Sequence, residues 1–305
     1  MIVITTPTGG IGRQVLNNLL DSAPEHGEQL RVIVRDAAKL SDAVRDRVDI
    51  VQGSHGDPDV IDRAFDGADA VFWLAPPNPH AKSIDATYSG FTQAAARAFV
   101  PHGISHVVGV SALGRGTAAA GRAGLVTASL AMDDLIGSSG VAYRALANAG
   151  FMDNMLRQVA SIRDNGVFTN TDLPDRKAPL IATRDIARTA AGLLLDRSWS
   201  GVGSVPLIGP EDLSQNDVAR ITGEVLGTSV RYERQRLEEL AAQLRAFGMG
   251  EAMVHGMVDM MRAKDEGVDD GIQRTPESAG WTTYRQWCEE VLKPAILGGE
   301  SRSAA

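Results

Sequence analysis

The residues best placed to do chemistry come at the start of the chain. Thr5-Thr6-Pro7-Thr8-Gly9-Gly10-Ile11-Gly12 follows a strand-like apolar run, Ile2–Thr5. It opens a helical pattern in which Ile11, Val15, Leu16 and Leu19 share a face. Glycines where a strand turns into a helix let backbone approach an anion. The helix N-terminus adds free N–H groups and partial positive charge, which suits a pyrophosphate. Gly9 lets backbone approach the phosphates, Gly12 lets helix pack on strand, and Thr8 hydrogen-bonds within the loop. A tight turn with no ligand is the competing reading. The second strand-like run ends in Arg35-Asp36. A carboxylate there grips a ribose 2′-OH, whereas a guanidinium suits a 2′-phosphate through charge-assisted hydrogen bonds. Arg35, assisted by Lys39, points to NADP(H); Asp36 keeps NAD(H) open.

The elements that must position these groups follow from the alternation of short apolar runs and longer helical patterns. Strands are expected at 2–5, 31–35, 49–52, 70–74, 106–110 and 141–146, and helices at 10–21, 57–66, 81–100 and 124–138. Runs apolar throughout suit strands buried on both faces, as in a parallel sheet. Repeated β-α units imply right-handed crossovers. The fold class is therefore α/β: a Rossmann-type doubly wound parallel sheet with a smaller, mostly helical C-terminal substrate lobe. The dinucleotide-binding domain is placed at 1–150. A helix near 184–196 and a strand near 204–208 return to it, and 151–305 forms the lobe, with a cleft between. The segment 237–266 is expected to be helical, and within it Met249, Met253, Met257 and Met261 recur every four residues, hence on one face. They make either a core stripe or an adaptable wall for a bulky apolar ligand, since methionine fills irregular gaps. Met253 and Met257 are the pocket candidates.

Composition bounds the function. The chain has 305 residues and a net charge of −8, which repels phosphate backbones, so no nucleic-acid partner is expected. The apolar runs are strand-sized, so no membrane span is expected. The first residues, MIVITTPTGG, lack the basic region of a signal peptide. Cys288 is the only cysteine, which rules out a stapled fold and suggests a reducing cytoplasm. It lies in a helical pattern and reads as structural. No Cys/His/carboxylate spacing resembles a metal site. An oligomer is open.

The ordered series of motifs resembles the NmrA-like branch of atypical short-chain dehydrogenases/reductases. Beside the loop, the resemblance runs through V-I-V-R-D-A-A-K-L, V-Q-G-S-H-G-D-P-D, V-F-W-L-A-P-P and V-V-G-V-S-A-L-G. It continues in S-S-G-V-A-Y-R-A-L-A-N-A-G-F-M-D-N and T-R-D-I-A-R-T-A-A. It covers most of the chain, least after about residue 235. The family pattern T-G-A-T-G-x-x-G has a glycine where this chain has Thr6. The resemblance implies that Thr5 and the loop hold the dinucleotide, that Ser54 and His55 lie near the adenine, and that Leu74, Ala75 and Pro76 line the cofactor. Ser111, Ala147, Ala149 and Phe151 would lie on the nicotinamide side. Pro77, Phe151 and Asn154 would face the substrate. Ser54 replaces the family's usual aspartate, and Ala147-Asn148 its frequent Arg-Pro.

Short-chain dehydrogenases commonly use Tyr-x-x-x-Lys, in which the lysine lowers the tyrosine pKa for proton donation. The four tyrosines, Tyr88, Tyr143, Tyr232 and Tyr284, are followed four residues on by Thr92, Ala147, Arg236 and Cys288. No pair fits. The remaining candidates are Ser111, which either bonds a substrate carbonyl or caps a turn; Tyr143, in a strand pattern; and His80, in a loop. Asp133 and Asp134 read as solvated helix charges, and Asp185 as a helix start. Two functions fit. One is an NADPH-dependent reductase of a quinone or conjugated carbonyl in a bulky apolar or aromatic small molecule, open to onward oxygenation. The other is a noncatalytic NADP(H)-binding sensor.

Overall fold

The computed structural model describes residues 1–276, 278 and 280–298. Among the described residues there are twelve strands: β1 (Ile2–Thr5), β2 (Leu30–Val34), β3 (Asp49–Gln52), β4 (Ala70–Trp73), β5 (His106–Ala112), β6 (Ala142–Asn148), β7 (Gly150–Phe151), β8 (Val167–Asn170), β9 (Ala178–Ile181), β10 (Val202–Leu207), β11 (Asp212–Leu213) and β12 (Arg231–Arg234). Seven of them make one sheet in the order β10-β6-β5-β4-β1-β2-β3. The pairs β1–β2, β1–β4, β2–β3 and β4–β5 are parallel. The order reverses at β1, with β2 on one side and β4 on the other. That switch point, at the carboxyl ends of the strands, is where doubly wound sheets take their ligands. β1 and β4 are buried at every position, which is why their sequences are apolar without alternation.

Helices that matter for the site are α1 (Gly10–Ser22), α2 (Pro58–Phe65), α3 (Ser89–Ala98), α4 (Leu125–Gly137), α5 (Thr183–Leu195), α6 (Gln215–Leu226), α7 (Leu237–Ala246) and α8 (Glu251–Asp265). Asp57 caps α2 by accepting from the Asp59 N–H, with Pro58 at the first helical position.

Two expected helices are broken. The 81–100 segment splits into Ile84–Thr87 and α3 at Tyr88, whose ψ of −87° departs from helical geometry. The 237–266 segment splits into α7 and α8. Gly248 sits between them at a φ of +80°, a left-handed conformation that ends the first helix. Met249 therefore lies off the helix, and the four-methionine stripe reduces to Met253, Met257 and Met261 on α8. Of these only Met253 is buried.

The chain forms two compact units. One comprises Met1–Ala112, Val126–Ala147 and Ile186–Val205; the other comprises Leu113–Leu125, Asn148–Asp185 and the described residues from Pro206 onward. The first is built on a core that includes Val3, Ile33, Phe65, Trp73, Phe99 and Tyr143. The second has its own core, with Phe168, Val218, Tyr284, Trp287 and Cys288 among its members. In the second unit Asp185, near the start of α5, accepts from both the N–H and the hydroxyl of Thr282, at 2.9 Å each. That carboxylate ties the C-terminal segment in place. Among the described residues no helix is long and apolar enough to cross a membrane.

Candidate functional site

The glycine loop is a tightly folded turn. Thr5, fully buried, donates its hydroxyl to the Phe72 carbonyl and accepts from the Leu74 N–H, both at 3.0 Å. Both polar functions of Thr5 are thus spent joining the ends of β1 and β4, and its side chain is scaffold, not a ligand contact. Thr6 adopts a φ of +50°, the left-handed region in which the family pattern has glycine. Threonine keeps the glycine-like backbone. The turn closes through the Gly9 N–H to the Thr6 carbonyl at 2.9 Å. Gly12 packs directly on it: a Cβ there would lie 2.2 Å from the Thr6 carbonyl oxygen. Close helix–strand packing is therefore what Gly12 is for.

At the mouth of α1, Gly9 is the N-cap and supplies no side chain, and the first turn carries no acidic residue. The first-turn N–H groups of Gly10, Ile11 and Gly12 are left without a side-chain cap. The Ile11 side chain is buried, so only its N–H is on offer, while Thr8 and Gly10 are exposed. A Cβ on Gly10 would meet nothing within 4 Å, so the space above the loop is open. Uncapped donors, open approach and no competing carboxylate fit a pyrophosphate.

At the end of β2 the two candidate groups divide their roles. Asp36 accepts from the Ala38 N–H at 3.1 Å and caps the turn Ala37–Lys39. Among the described residues neither the exposed Arg35 guanidinium nor the exposed Lys39 ammonium has a hydrogen bond or an ion pair. The carboxylate is committed to the backbone and the cations are free.

His55 is buried and is not a stacking surface for a ligand. Its ring sits edge-on to Trp73 and Phe91, with centroids 5.1 and 4.8 Å away. Its Nε2 donates to the Leu74 carbonyl at 3.0 Å. Burial pushes its pKa down to about 4, against the raising effect of that bond and with a further push from the Arg35 charge. His55 is a neutral clamp holding the end of β4, from which Leu74, Ala75 and Pro76 run half-buried. Ser54 accepts from the Gly56 N–H at 3.3 Å, within its own turn. Pro77 and His80 are exposed; His80 is a loop residue whose backbone N–H donates to Asn78 at 3.1 Å.

Near the carboxyl end of β5 lies a polar cluster that sequence reasoning missed. Ser111 donates to Asp133 Oδ2 at 2.5 Å, and Tyr143 donates to Asp133 Oδ1 at 2.6 Å. Ser129, one turn before Asp133 on α4, lies 3.4 Å from Ser111 Oγ. All four are at most 6% exposed. Asp133 is therefore not the solvated helix charge expected of it. Val126, Ala128, Leu130, Met132 and Ile136 are all buried and Asp133 is buried with them, whereas Ala131 and Asp134 are exposed, so Asp134 alone of the pair is the solvated charge expected. Tyr143 fits because Gly109 on β5 leaves room; a Cβ there would meet its hydroxyl at 2.4 Å. Tyr143 lies behind Asp133, fully buried, and is not a proton donor to a substrate. Ala147, like Ser111, belongs to the first unit; Ala149, Phe151, Asn154, Met253 and Met257 belong to the second. Ala147 and Ala149 are buried, Phe151 and Met257 half-buried, and Asn154 exposed.

The parallel sheet with its switch point, the uncapped glycine loop and the free cations at the end of β2 define a Rossmann-type dinucleotide-binding protein. Residues 7–197 match the NAD(P)H-binding family model, and the chain belongs to that family. It is 28% identical over 249 residues to a (4-alkanoyl-5-oxo-2,5-dihydrofuran-3-yl)methyl phosphate reductase of Streptomyces griseus, covering 81% of each chain. It is 26% identical to an NAD(P)H azoreductase of Xenophilus azovorans, covering 85% of this chain and 86% of that one. The NADPH-dependent quinone oxidoreductase QOR2 of Escherichia coli, solved with NADPH, superposes with a TM-score of 0.75. It is 20% identical, over 95% of this chain and 99% of that one.

Proposed function

We propose that this NAD(P)H-dependent oxidoreductase uses NADPH to reduce a quinone or conjugated carbonyl of a bulky apolar or aromatic small molecule. The observation that carries the cofactor half is the division of labour after β2, with Asp36 spent on a turn and the Arg35 and Lys39 side chains unpaired among the described residues. A 2′-phosphate is the natural partner for such a guanidinium. Gly9 to Gly12 would take the pyrophosphate on their backbone, and Leu74 to Pro76 would line the dinucleotide.

The reaction class follows from the donor that is lacking. The chain has no Tyr-x-x-x-Lys, and the hydroxyl hydrogen of Ser111 is given to Asp133. NADPH supplies a hydride when bound. An acceptor that delocalises the resulting negative charge, as a quinone does, needs orientation more than a protein acid. The names of the relatives support the class: an azoreductase, a quinone oxidoreductase and a reductase of an oxo- and alkanoyl-substituted ring. Onward reaction of a hydroquinone with O₂ would make the protein one step of an oxygenation.

The test is NADPH oxidation by the purified protein against 1,4-naphthoquinone and other quinones, then enones and imines, with oxygen uptake recorded. Saturable turnover, faster with NADPH than with NADH, is expected. Tight NADP(H) binding with no turnover on any acceptor would replace the reductase with the noncatalytic sensor.

A further inference from the structure

We propose that Arg13 is a specificity-determining cation, a third group beside Arg35 and Lys39 on the 2′-phosphate of the dinucleotide. The inference rests on the NADPH reading above. All the residues involved lie in the first unit. Arg13 closes the first turn of α1. It is exposed, and among the described residues its guanidinium has neither a hydrogen bond nor an ion pair. A cation is disfavoured there, because the helix N-terminus already carries partial positive charge and no acidic residue stands in the first turn to offset it. A bound anion turns that repulsion into a net attraction. The other arginines around β2 are committed to backbone. Arg31 donates to the carbonyls of Ala64 and Asp66, Arg45 to that of Leu40, Arg47 to that of Leu20, and Arg63 to those of Asp59 and Gln52. Arg13, Arg35 and Lys39 carry no such commitment among the described residues.

Direction decides which phosphate. Leu20 follows Arg13 about two turns along the same face of α1. That face is turned to the β2 side: Leu20 lines a cleft with Leu30 of β2 and Asp49 of β3, and its carbonyl accepts from Arg47. Side chains on a helix slant toward its N-terminus, so Arg13 runs up this face toward the mouth of α1. The mouth lies at the carboxyl end of the sheet, where β2 ends and Arg35 follows. Gly10, one turn ahead of Arg13, has open space where a side chain would stand, so it does not screen the guanidinium from a ligand. The pyrophosphate is met by the backbone N–H groups of Gly10, Ile11 and Gly12. A 2′-phosphate, with its higher charge, presents more acceptor oxygens than the Arg35 guanidinium alone can satisfy.

The experiment is calorimetric binding of NADPH, NADH and adenosine 2′,5′-bisphosphate, which carries the 2′-phosphate but neither the pyrophosphate nor the nicotinamide. Arg13→Ala should weaken NADPH and the bisphosphate about tenfold, the worth of a charge-assisted bond, and leave NADH within about twofold. Arg13→Lys keeps the charge and should bind NADPH within about threefold of wild type. Because Arg13 is exposed and set against the helix dipole, the urea midpoint of unliganded Arg13→Ala should equal or exceed that of wild type. A lowered midpoint would make the residue a strut of the fold and overturn the assignment. Unchanged NADPH affinity in Arg13→Ala overturns it as well. So does an equal loss for NADPH and NADH, which would put Arg13 on the pyrophosphate. Selective loss of NADPH in Arg35→Ala but not in Arg13→Ala overturns this proposal alone and leaves the NADPH reading intact. Wild-type protein that binds NADPH no tighter than NADH overturns that reading, and the proposal with it.

Discussion

Acid should weaken this protein through His55 before most of its carboxylates begin to titrate. The folded ring has a pKa of about 4, against an ordinary value of 6.5, because it is buried between Trp73 and Phe91. Below pH 6.5 the unfolded chain takes up a proton that the folded one refuses. The stabilising contribution is complete above that pH and is lost as the pH falls toward 4. The span of about 2.5 pH units, at about 1.36 kcal/mol each, gives about 3 kcal/mol in all and roughly 2 kcal/mol by pH 5. His55→Gln removes the titration and keeps an N–H donor for the Leu74 carbonyl, at some packing cost that is the same at every pH. Urea denaturation at pH 7.5 and pH 5 measures the difference. Wild type should lose roughly 2 kcal/mol more than the variant over that interval. Equal losses would refute the argument, since they would mean that the ring takes its proton without leaving its place. The consequence reaches the site, because the same bond holds Leu74 at the head of the segment Ala75–Pro76.

Three further outcomes are expected. Arg35→Ala should weaken NADPH binding about 10- to 100-fold, the worth of charge-assisted bonds to a phosphate, and leave NADH within about threefold; calorimetry showing equal losses would remove the 2′-phosphate assignment. Thr6→Gly should stabilise the protein by about 1 kcal/mol, because it relieves a β-branched residue at a φ of +50° and deletes a buried hydroxyl without a partner. A lower urea midpoint in that variant would show that contacts of the threonine outweigh its backbone. Cys288, buried with its thiol pushed up to about 11 chiefly by burial, should react with a thiol reagent at pH 8 only as fast as the protein opens. Rapid labelling of the native protein would place it nearer the surface than its packing with Thr222 and Trp287 implies.

Much of the architecture was legible because its signals are local. The glycine loop, the apolar runs and the Asp57-Pro58 helix start each report on the backbone within a few residues. The alternation of strand and helix then leaves few topologies open. The breaks at Tyr88 and Gly248 were less legible, since the helical patterns run through both positions while the backbone does not follow.

By itself the sequence determined the class of fold, the place of the phosphate loop, the choice between Arg35 and Asp36 as the residues to examine, and the absence of a tyrosine–lysine pair. The tertiary structure alone decided what each polar side chain is committed to. Thr5 and His55 read as ligand contacts, yet their hydrogen-bonding groups are spent on Phe72 and Leu74, residues far away in the chain. Asp133 read as a surface charge, yet it holds Ser111 from 22 residues away and Tyr143 from 10. A side chain's neighbours across the sheet set its burial and the direction of its hydrogens, and no spacing along the chain carries that information.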